Sequence, residues 1–114
     1  MNGEASYRTR EGYEFDGRWV NDERVGFGTE IIPNGDSFEG FFVRNRKTGR
    51  GKYTWVDRTE YEGEWRADQM DGQGVYRWAD GRVYEGSWRA GVKRGTGTQR
   101  YPDGKHYKGE FVDD

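Results

Sequence analysis

The sequence predicts an all-β protein, a single-layer, twisted antiparallel meander of β-hairpins with about ten short strands. Three observations predict it. Aromatic residues and glycines recur at a constant spacing of 23 residues along the chain. Within each interval, apolar or glycine positions alternate with charged ones, and no helical period is visible. Asn-Gly and Asp-Gly dipeptides, which favour tight hairpin turns, separate several of the alternating segments.

Three features recur five times at this spacing, and a fourth recurs four times. The first aromatic of the interval recurs as Phe15, Phe38, Tyr61, Tyr84 and Tyr107. A glycine follows two residues later, as Gly17, Gly40, Gly63, Gly86 and Gly109. A second aromatic comes after a further two residues, as Trp19, Phe42, Trp65, Trp88 and Phe111. A Gly-x-Gly pair ends the series, as Gly26/Gly28, Gly49/Gly51, Gly72/Gly74 and Gly95/Gly97. A fixed period of this size indicates a repeat architecture.

The period also sets the expected domain organisation, a single repeat array over residues 1–114. Its ends are expected to be partial repeats, at 1–14 and 107–114. The full repeats are expected at 15–37, 38–60, 61–83 and 84–106. A ribbon of ten strands spaced roughly 4.8 Å apart would be on the order of 45 Å long.

Each unit contains two strands and two turns, as residues 61–83 illustrate. The first strand begins at Tyr61 and alternates with period two up to a polar turn at 67–71. The second strand runs from about residue 72 to 78, and a second turn follows at 79–82. The second residue of the polar turn is of a type that tolerates positive φ in every unit: Asp22, Asn45, Asp68 and Gly91.

Glycine weakens a strand interior, so its recurrence calls for a packing reason. We expect rings to lie over glycines of neighbouring strands. Within the hairpin, the proposed register pairs Trp65 with Gly74, Tyr76 with Gly63 and Trp78 with Tyr61. Between hairpins, it pairs Trp78 with Tyr84, Tyr76 with Gly86 and Gly74 with Trp88. Sheet twist should then curl the ribbon, with the aromatic residues on its concave side.

The composition limits both the core and the partners. Only 31% of residues are hydrophobic while 17% are aromatic, so the buried surface must come mostly from rings. The 19 basic and 21 acidic residues are interspersed, which disfavours nucleic-acid binding. Cysteine is absent, which excludes disulfides and fits a cytoplasmic location. No apolar run reaches the roughly 18 residues of a spanning helix, and no secretory signal is visible at the N-terminus.

The sequence gives little support to an enzymatic function. The Gly-x-Gly pairs lack the further glycines, the Lys-Ser/Thr or the following helix of a nucleotide fingerprint. His106 is the only histidine and falls at a turn end, where a solvated role fits best. Glu62 and Glu64 recur as repeat features, and no serine has a base constellation. We therefore expect no catalytic residue, no metal site and no cofactor. A hydrolase built on the groove stays the third alternative.

The unit Tyr61-Glu62-Gly63-Glu64-Trp65, followed by Gly72-Gln73-Gly74 and Asp80-Gly81, closely resembles the MORN (membrane occupation and recognition nexus) repeat. The resemblance covers nearly the whole chain. It implies a solenoid of β-hairpins that acts as a non-catalytic scaffold or adaptor. The family often has a histidine just before the Gly-x-Gly pair, a place held here by Val25, Thr48, Asp71 and Arg94. Arg58 replaces a turn glycine, and Glu30 and Gln99 stand where other units have tyrosine.

A single-layer sheet cannot cover both sides of its rings, so an exposed aromatic groove is expected to bind a partner. The partner would be a protein or peptide, as an apolar helix or an extended segment. The expected groove residues are Tyr53, Trp55, Trp65, Tyr76, Trp78, Tyr84, Trp88 and Tyr101. From the resemblance, a cytoskeletal or ciliary assembly is the expected setting. The alternative is a membrane-surface adaptor, for which the basic cluster around Arg46 is the only candidate. End-to-end self-association through open edge strands also stays open.

Overall fold

The computed structural model describes residues 3–112, which form ten β-strands and no helix. Each strand is six to nine residues long. The strands are β1 (Gly3–Arg8), β2 (Glu14–Val20), β3 (Glu23–Ile31), β4 (Ser37–Val43), β5 (Arg46–Thr54), β6 (Glu60–Arg66), β7 (Gln69–Arg77), β8 (Val83–Arg89), β9 (Val92–Arg100) and β10 (His106–Phe111). This confirms the all-β fold class and the strand number.

The ten strands form one antiparallel sheet in strictly sequential order, so the chain is a meander without crossovers. The Cα extents are 49 × 24 × 17 Å, and the longest agrees with the length expected for ten adjacent strands. Even-numbered strands carry the first and second aromatics of each unit, and odd-numbered strands β3 to β9 carry the Gly-x-Gly pairs. Equivalent positions of successive units therefore lie two strands apart, in rows that run across the sheet.

The polar turn of each unit has only two residues between its strands. Ala67 (φ 47°) and Asp68 (φ 71°) both have positive φ, as a type I′ hairpin requires. The same holds for the equivalent turns, at Asn21/Asp22, Arg44/Asn45 and Ala90/Gly91. The predicted positive φ at the second turn residue is confirmed. The turn is shorter than the predicted 67–71, because residues 69–71 already belong to β7.

The predicted strand register is wrong by two residues on both sides of β7. Within the hairpin, Gly63 pairs with Gly74, Tyr61 pairs with Tyr76, and Trp65 pairs with Met70. Between hairpins, Gly74 pairs with Gly86 and Tyr76 pairs with Tyr84, while Gly72 faces Trp88. The predicted pairs Trp65–Gly74, Tyr76–Gly63, Trp78–Tyr61, Trp78–Tyr84, Tyr76–Gly86 and Gly74–Trp88 are therefore not formed.

Two local backbone features cause this difference. Both turns close between residues that are nearer in sequence than the predicted register requires; in the second, the Trp78 amide donates to the Arg82 carbonyl at 2.9 Å, so Trp78 faces Arg82 rather than Tyr84. A β-bulge between Gly63 and Trp65 then moves the pairing two residues back towards the predicted register, because Trp65 pairs with Met70 whereas Gly63 pairs with Gly74. The bulge falls at the first glycine of the Gly-x-Gly pair, where Gly72 has φ of 103°. The second glycine, Gly74, lies beneath a ring instead, so the two glycines of the pair have different structural roles.

The core is formed by rings on one face of the sheet, which we call the aromatic face. Its buried members are Phe15, Phe38, Phe42, Tyr61, Trp65, Tyr84, Trp88 and Phe111. Neighbouring rings meet edge to face; Tyr61 and Trp65, for example, have centroids 5.2 Å apart and an interplanar angle of 89°. Rings do cover glycines, as expected, although in a different register.

Candidate functional site

The first aromatic of each full unit packs beneath the others. Tyr61 and Tyr84 have no exposed surface, and Phe15 and Phe38 are exposed by only 1% and 2%. The Tyr61 hydroxyl donates to the Glu64 carbonyl at 3.0 Å, so the ring folds back along its own strand. The repeat glycines Gly17, Gly40, Gly63, Gly86 and Gly109 each lie in contact with the first aromatic of their own unit. Tyr84, predicted as a groove residue, is thus placed in the core.

Two further predicted groove residues, Trp65 and Trp88, are also buried, with 7% and 6% exposure. The Trp65 indole Nε1 donates to the Gly51 carbonyl at 3.0 Å. The Trp88 ring contacts both Tyr84 and Tyr61 at 5.3 Å between centroids. These indoles form the floor of the aromatic face.

Four of the predicted groove residues lie above this floor as one continuous row, which we call the ring ladder: Tyr53, Trp55, Tyr76 and Trp78. Centroid distances along the row are 4.6 Å for Tyr53–Trp55, 5.5 Å for Trp55–Tyr76 and 4.6 Å for Tyr76–Trp78. All four rings are partly buried against the core and keep exposed surface. The structure therefore brings half of the predicted groove residues together at the surface.

Tyr101, the last predicted groove residue, is 43% exposed. It occupies the position of Trp78 in the following unit. Gln99 stands where Tyr76 stands in the preceding unit, so a polar side chain takes the place of the ring that would link Trp78 to Tyr101. The row of rings is therefore interrupted between Trp78 and Tyr101.

A depression of about 350 Å³ lies beside the ring ladder. Its apolar walls come from the ladder and the floor, and polar groups come from the hairpin turns. The residues that line it are Lys47, Tyr53, Trp55, Trp65, Asp68, Gln69, Met70 and Gly91. An apolar side chain of a partner would fit between the rings here, next to groups of both charges.

Cationic side chains lie over the rings, a feature that sequence reasoning missed. The Lys47 Nζ lies 5.3 Å from the Phe38 ring centroid and 5.6 Å from that of Tyr53. The Lys93 Nζ lies 5.3 Å from the Trp78 centroid and 5.4 Å from that of Tyr84. Such cation–π contacts contribute roughly 0.5–2 kcal/mol each. The signal was present, because residues 24, 47, 70 and 93 are spaced by the repeat period and read Arg, Lys, Met and Lys.

The two departures from tyrosine are explained by these cations. Glu30 is buried at 4% exposure and pairs with Arg24, whose guanidinium lies 4.8 Å from the Phe42 ring centroid. Gln99 is buried at 5% exposure and its Oε1 accepts a hydrogen bond from the Lys93 Nζ at 3.3 Å. Where the cation is replaced by Met70, the partner position is Tyr76. In two units a cation thus faces a polar acceptor, and in a third the apolar Met70 goes with a ring. The exception is the remaining unit, in which the cation Lys47 goes with the ring of Tyr53.

Burial makes the phenols of Tyr13 and Tyr53 harder to ionise. Burial raises the pKa of Tyr53, and its hydroxyl donates to the Asp36 Oδ2 at 2.8 Å, which raises the pKa further. Burial and the hydrogen bond to Glu30 raise the pKa of Tyr13 to about 12, with Arg24 opposing the shift. Both hydroxyls are therefore neutral donors at physiological pH, suited to structure rather than to base catalysis.

The opposite face of the sheet carries an exposed ring pair that the sequence did not predict. Phe27 and Phe41 pair across β3 and β4 with centroids 5.4 Å apart, and they are 54% and 46% exposed. The equivalent cross-strand pairs are Arg50–Glu64 and Gln73–Ser87, the latter joined by a 2.7 Å hydrogen bond. The position therefore accepts any complementary pair, and no packing requirement explains the two phenylalanines.

Residues 3–112 contain no group of three or more His, Cys, Asp or Glu side chains that could hold a metal ion. His106 is exposed at the start of β10. Across the same residues, no helix has the length and apolarity needed to cross a membrane.

These features define a class of protein, an all-β hairpin-repeat array whose aromatic residues are shared between its core and one exposed face. A family model described as MORN repeat matches four segments, at residues 15–37, 38–60, 61–81 and 84–106. The chain belongs to the MORN repeat family, which confirms the resemblance seen in the sequence. Members of this family are repeat scaffolds and are typically non-catalytic. No curated protein gives a significant match to the chain.

Proposed function

We propose that the protein is a non-catalytic scaffold that binds a protein or peptide segment through the ring ladder. The observation that carries the proposal is the unbroken row of Tyr53, Trp55, Tyr76 and Trp78 beside the depression near Met70. Tryptophan and tyrosine dominate interface hot spots, since they bury a large area at low entropic cost. The floor of buried indoles holds these rings in place before binding, which reduces the entropy lost on association.

The charges around the ladder indicate the chemistry of the bound segment. Arg82 and Lys93 both lie over the Trp78 ring, at 4.8 Å and 5.3 Å from its centroid. Lys47 lies over Tyr53 at the other end of the row. An apolar helix or extended segment with a carboxylate near each end of its apolar stretch would complement this pattern. The ladder would take the apolar side chains, and the cations at its two ends would fix the position of the segment along the row.

The test is a selection of ligands from a peptide library on the 114-residue chain, followed by affinity measurements by fluorescence anisotropy. The variant Trp55→Ile/Trp78→Ile removes two ladder rings, and Ile32 occupies the equivalent place in another unit, so the fold tolerates isoleucine there. We expect the selected peptides to bind this variant at least about thirty-fold more weakly, the loss for hot-spot residues.

The matched control is Phe27→Arg/Phe41→Glu on the opposite face, which copies the Arg50–Glu64 pair of the next unit. Affinity for the selected peptides should stay within about two-fold, since these rings lie outside the ladder. Equal loss in both variants, or no loss in the ladder variant, would contradict the proposal.

The alternative of a membrane-surface adaptor rests on the basic cluster of β5 and its preceding turn. That cluster is divided in space, because Lys47 lies on the aromatic face over Phe38 while Lys52 lies 3.5 Å from Glu60 in an ion pair on the other face. A single basic patch is what anionic lipid attracts. Co-sedimentation with vesicles containing phosphatidylserine would support this alternative if the chain pellets with them. We expect no binding at physiological salt.

The cellular setting is part of the same proposal and rests on the family alone. We place the protein in the cytoplasm, in a cytoskeletal or ciliary assembly. Imaging of the tagged chain tests the location directly: a filamentous or axonemal pattern that is lost with Trp55→Ile/Trp78→Ile supports it. A diffuse pattern for the unaltered chain argues against the assembly.

A further inference from the structure

The ring of Tyr107 on β10 has the same conformation as the two buried tyrosines of its series. Its hydroxyl donates to the Glu110 carbonyl at 3.3 Å, as those of Tyr61 and Tyr84 donate to the carbonyls of Glu64 and Ser87. It also lies over Gly109, since a Cβ added at that glycine would come 2.7 Å from the hydroxyl oxygen. The ring is therefore folded back along its strand even though β10 is the last described strand of the sheet.

Tyr107 differs from Tyr61 and Tyr84 in what covers the side of the ring that faces away from its own strand. In the inner units the ring also covers a glycine on the next strand; a Cβ at Gly74 would come 2.2 Å from the Tyr61 hydroxyl oxygen. The equivalent distance from Gly97 to Tyr84 is 2.4 Å. Tyr61 and Tyr84 have no exposed surface, whereas Tyr107 is 49% exposed. The Tyr107 ring lies over Gly109 of its own strand, and no described strand follows β10 to place a second glycine against it.

We propose that the β10 edge binds an extended segment with a Gly-x-Gly pattern, as an added antiparallel strand. In the register of β6 with β7, the second glycine lies opposite Gly109, and the residue two positions later lies opposite Tyr107. Backbone hydrogen bonds supply affinity for a strand added at an edge. Specificity comes from the folded-back ring, which leaves no room for a Cβ at the position facing Gly109.

This requirement distinguishes the two edges and bears on end-to-end association. On β1, Ala5 occupies the position that the second glycine holds in the other units, paired with Gly17. If β1 of a second copy added to β10 in the repeat register, the Ala5 methyl would meet the Tyr107 ring. The edge therefore selects against in-register pairing with another copy of this chain, and it favours a partner strand with glycine at that place.

The experiment titrates the 114-residue chain with a peptide whose sequence is that of residues 69–78, and follows the backbone amides by NMR. The matched control is the same peptide with Gly74→Ala. We expect shifts confined to His106–Phe111 and its neighbour β9, and at least tenfold weaker binding of the alanine peptide. Equal affinity of the two peptides, shifts located at β1, or no binding of the glycine peptide at millimolar concentration would overturn the proposal.

Two protein variants test the same idea from the other side. Tyr107→Ala removes the ring that excludes a Cβ, so it should bind the glycine and alanine peptides with similar affinity. Ala5→Gly should self-associate more strongly than the unaltered chain in sedimentation velocity, because it removes the methyl that blocks β10–β1 pairing. Unchanged peptide discrimination by Tyr107→Ala, or equal self-association of Ala5→Gly and the unaltered chain, would contradict the inference.

Discussion

The ring of Tyr61 lies directly over Gly74 on the neighbouring strand, so close that a Cβ at Gly74 would come within 2.2 Å of the hydroxyl oxygen and 2.4 Å of the ring carbons. Gly74 also faces Gly63, whose own Cβ position is 2.4 Å from the Gly74 Cα. The ring is held in this position by burial and by its hydrogen bond to the Glu64 carbonyl. The Tyr61 ring thus occupies the space that a side chain at Gly74 would need.

The first prediction is that Gly74→Ala destabilises the protein by about 3 kcal/mol or more, at the upper limit for overpacked cores. The added methyl must displace a fully buried ring or separate two paired strands. Urea unfolding followed by tryptophan fluorescence measures the effect. The control is Gly91→Ala, where nothing lies within 4 Å of the added carbon and only the φ of 87° is unfavourable. This variant should lose about 1 kcal/mol. Equal losses would contradict the steric account.

The second prediction concerns the buried pair of Arg24 and Glu30. Arg24→Met alone should cost about 2–3 kcal/mol, because the Glu30 carboxylate stays buried with a weaker set of partners. The double variant Arg24→Met/Glu30→Tyr copies the Met70–Tyr76 combination of another unit. We expect it to recover most of the lost stability, measured as a double-mutant cycle in urea. A double variant no more stable than Arg24→Met would show that the two positions are not coupled as described.

The third prediction is a loss of stability at alkaline pH. Burial raises the pKa of Tyr61 and of Tyr84 above the ordinary value near 10. Above pH 10 the unfolded chain releases these protons while the folded chain retains them, so the free energy of unfolding falls as pH rises. Each such tyrosine contributes at most about 1.4 kcal/mol per pH unit.

Unfolding curves from pH 8 to 11.5 test this alkaline dependence. Tyr61→Phe/Tyr84→Phe should show a shallower decline, and phenylalanine already occupies the equivalent positions 15 and 38. Below pH 10 the slopes of the two proteins should coincide. An unchanged decline above pH 10 in the double variant would assign the effect to other groups.

The fourth prediction is a stabilising substitution at a turn. Arg58 has φ of 76°, whereas the equivalent turn positions are Gly12, Gly35, Gly81 and Gly104, with φ of 93° to 104°. Because left-handed backbone is strained for a residue with a Cβ, Arg58→Gly should raise the free energy of unfolding by about 0.5–1 kcal/mol. The converse, Gly81→Arg, should lose a similar amount. Thermal unfolding by circular dichroism compares the two; a change of the same sign in both would contradict the strain argument.

Much of the fold could be predicted from the sequence because a strict period makes equivalent residues occupy equivalent places. The strand number and the positive φ at Asp68 follow from the pattern and from turn chemistry. The register does not, since the period says which residues are equivalent but not which of them face each other. The strand register depends on a two-residue turn at Ala67 and a bulge at Gly72, and both are set by the local backbone conformation.

The candidate site was predicted only in part for a related reason. Trp65, Trp78, Tyr84 and Trp88 are all aromatic residues on one face, and composition alone cannot say which form the floor and which keep exposed surface. The structure distinguishes the buried rings from the partly exposed ones by the direction in which each side chain lies. Tyr84, for example, is covered by Trp88 and Phe111. The cations over the rings were missed because charged residues at period two are normally assigned to the solvent face.

The measurement that tests the central claim most directly is an NMR titration of the five tryptophan indole N–H signals with a peptide selected to bind the chain. The ring ladder predicts that the Trp55 and Trp78 signals shift most, that Trp65 and Trp88 shift less, and that Trp19 stays unchanged. If the peptide binds while the Trp55 and Trp78 signals do not move, or if the largest change is at Trp19, the ring ladder is not the binding surface.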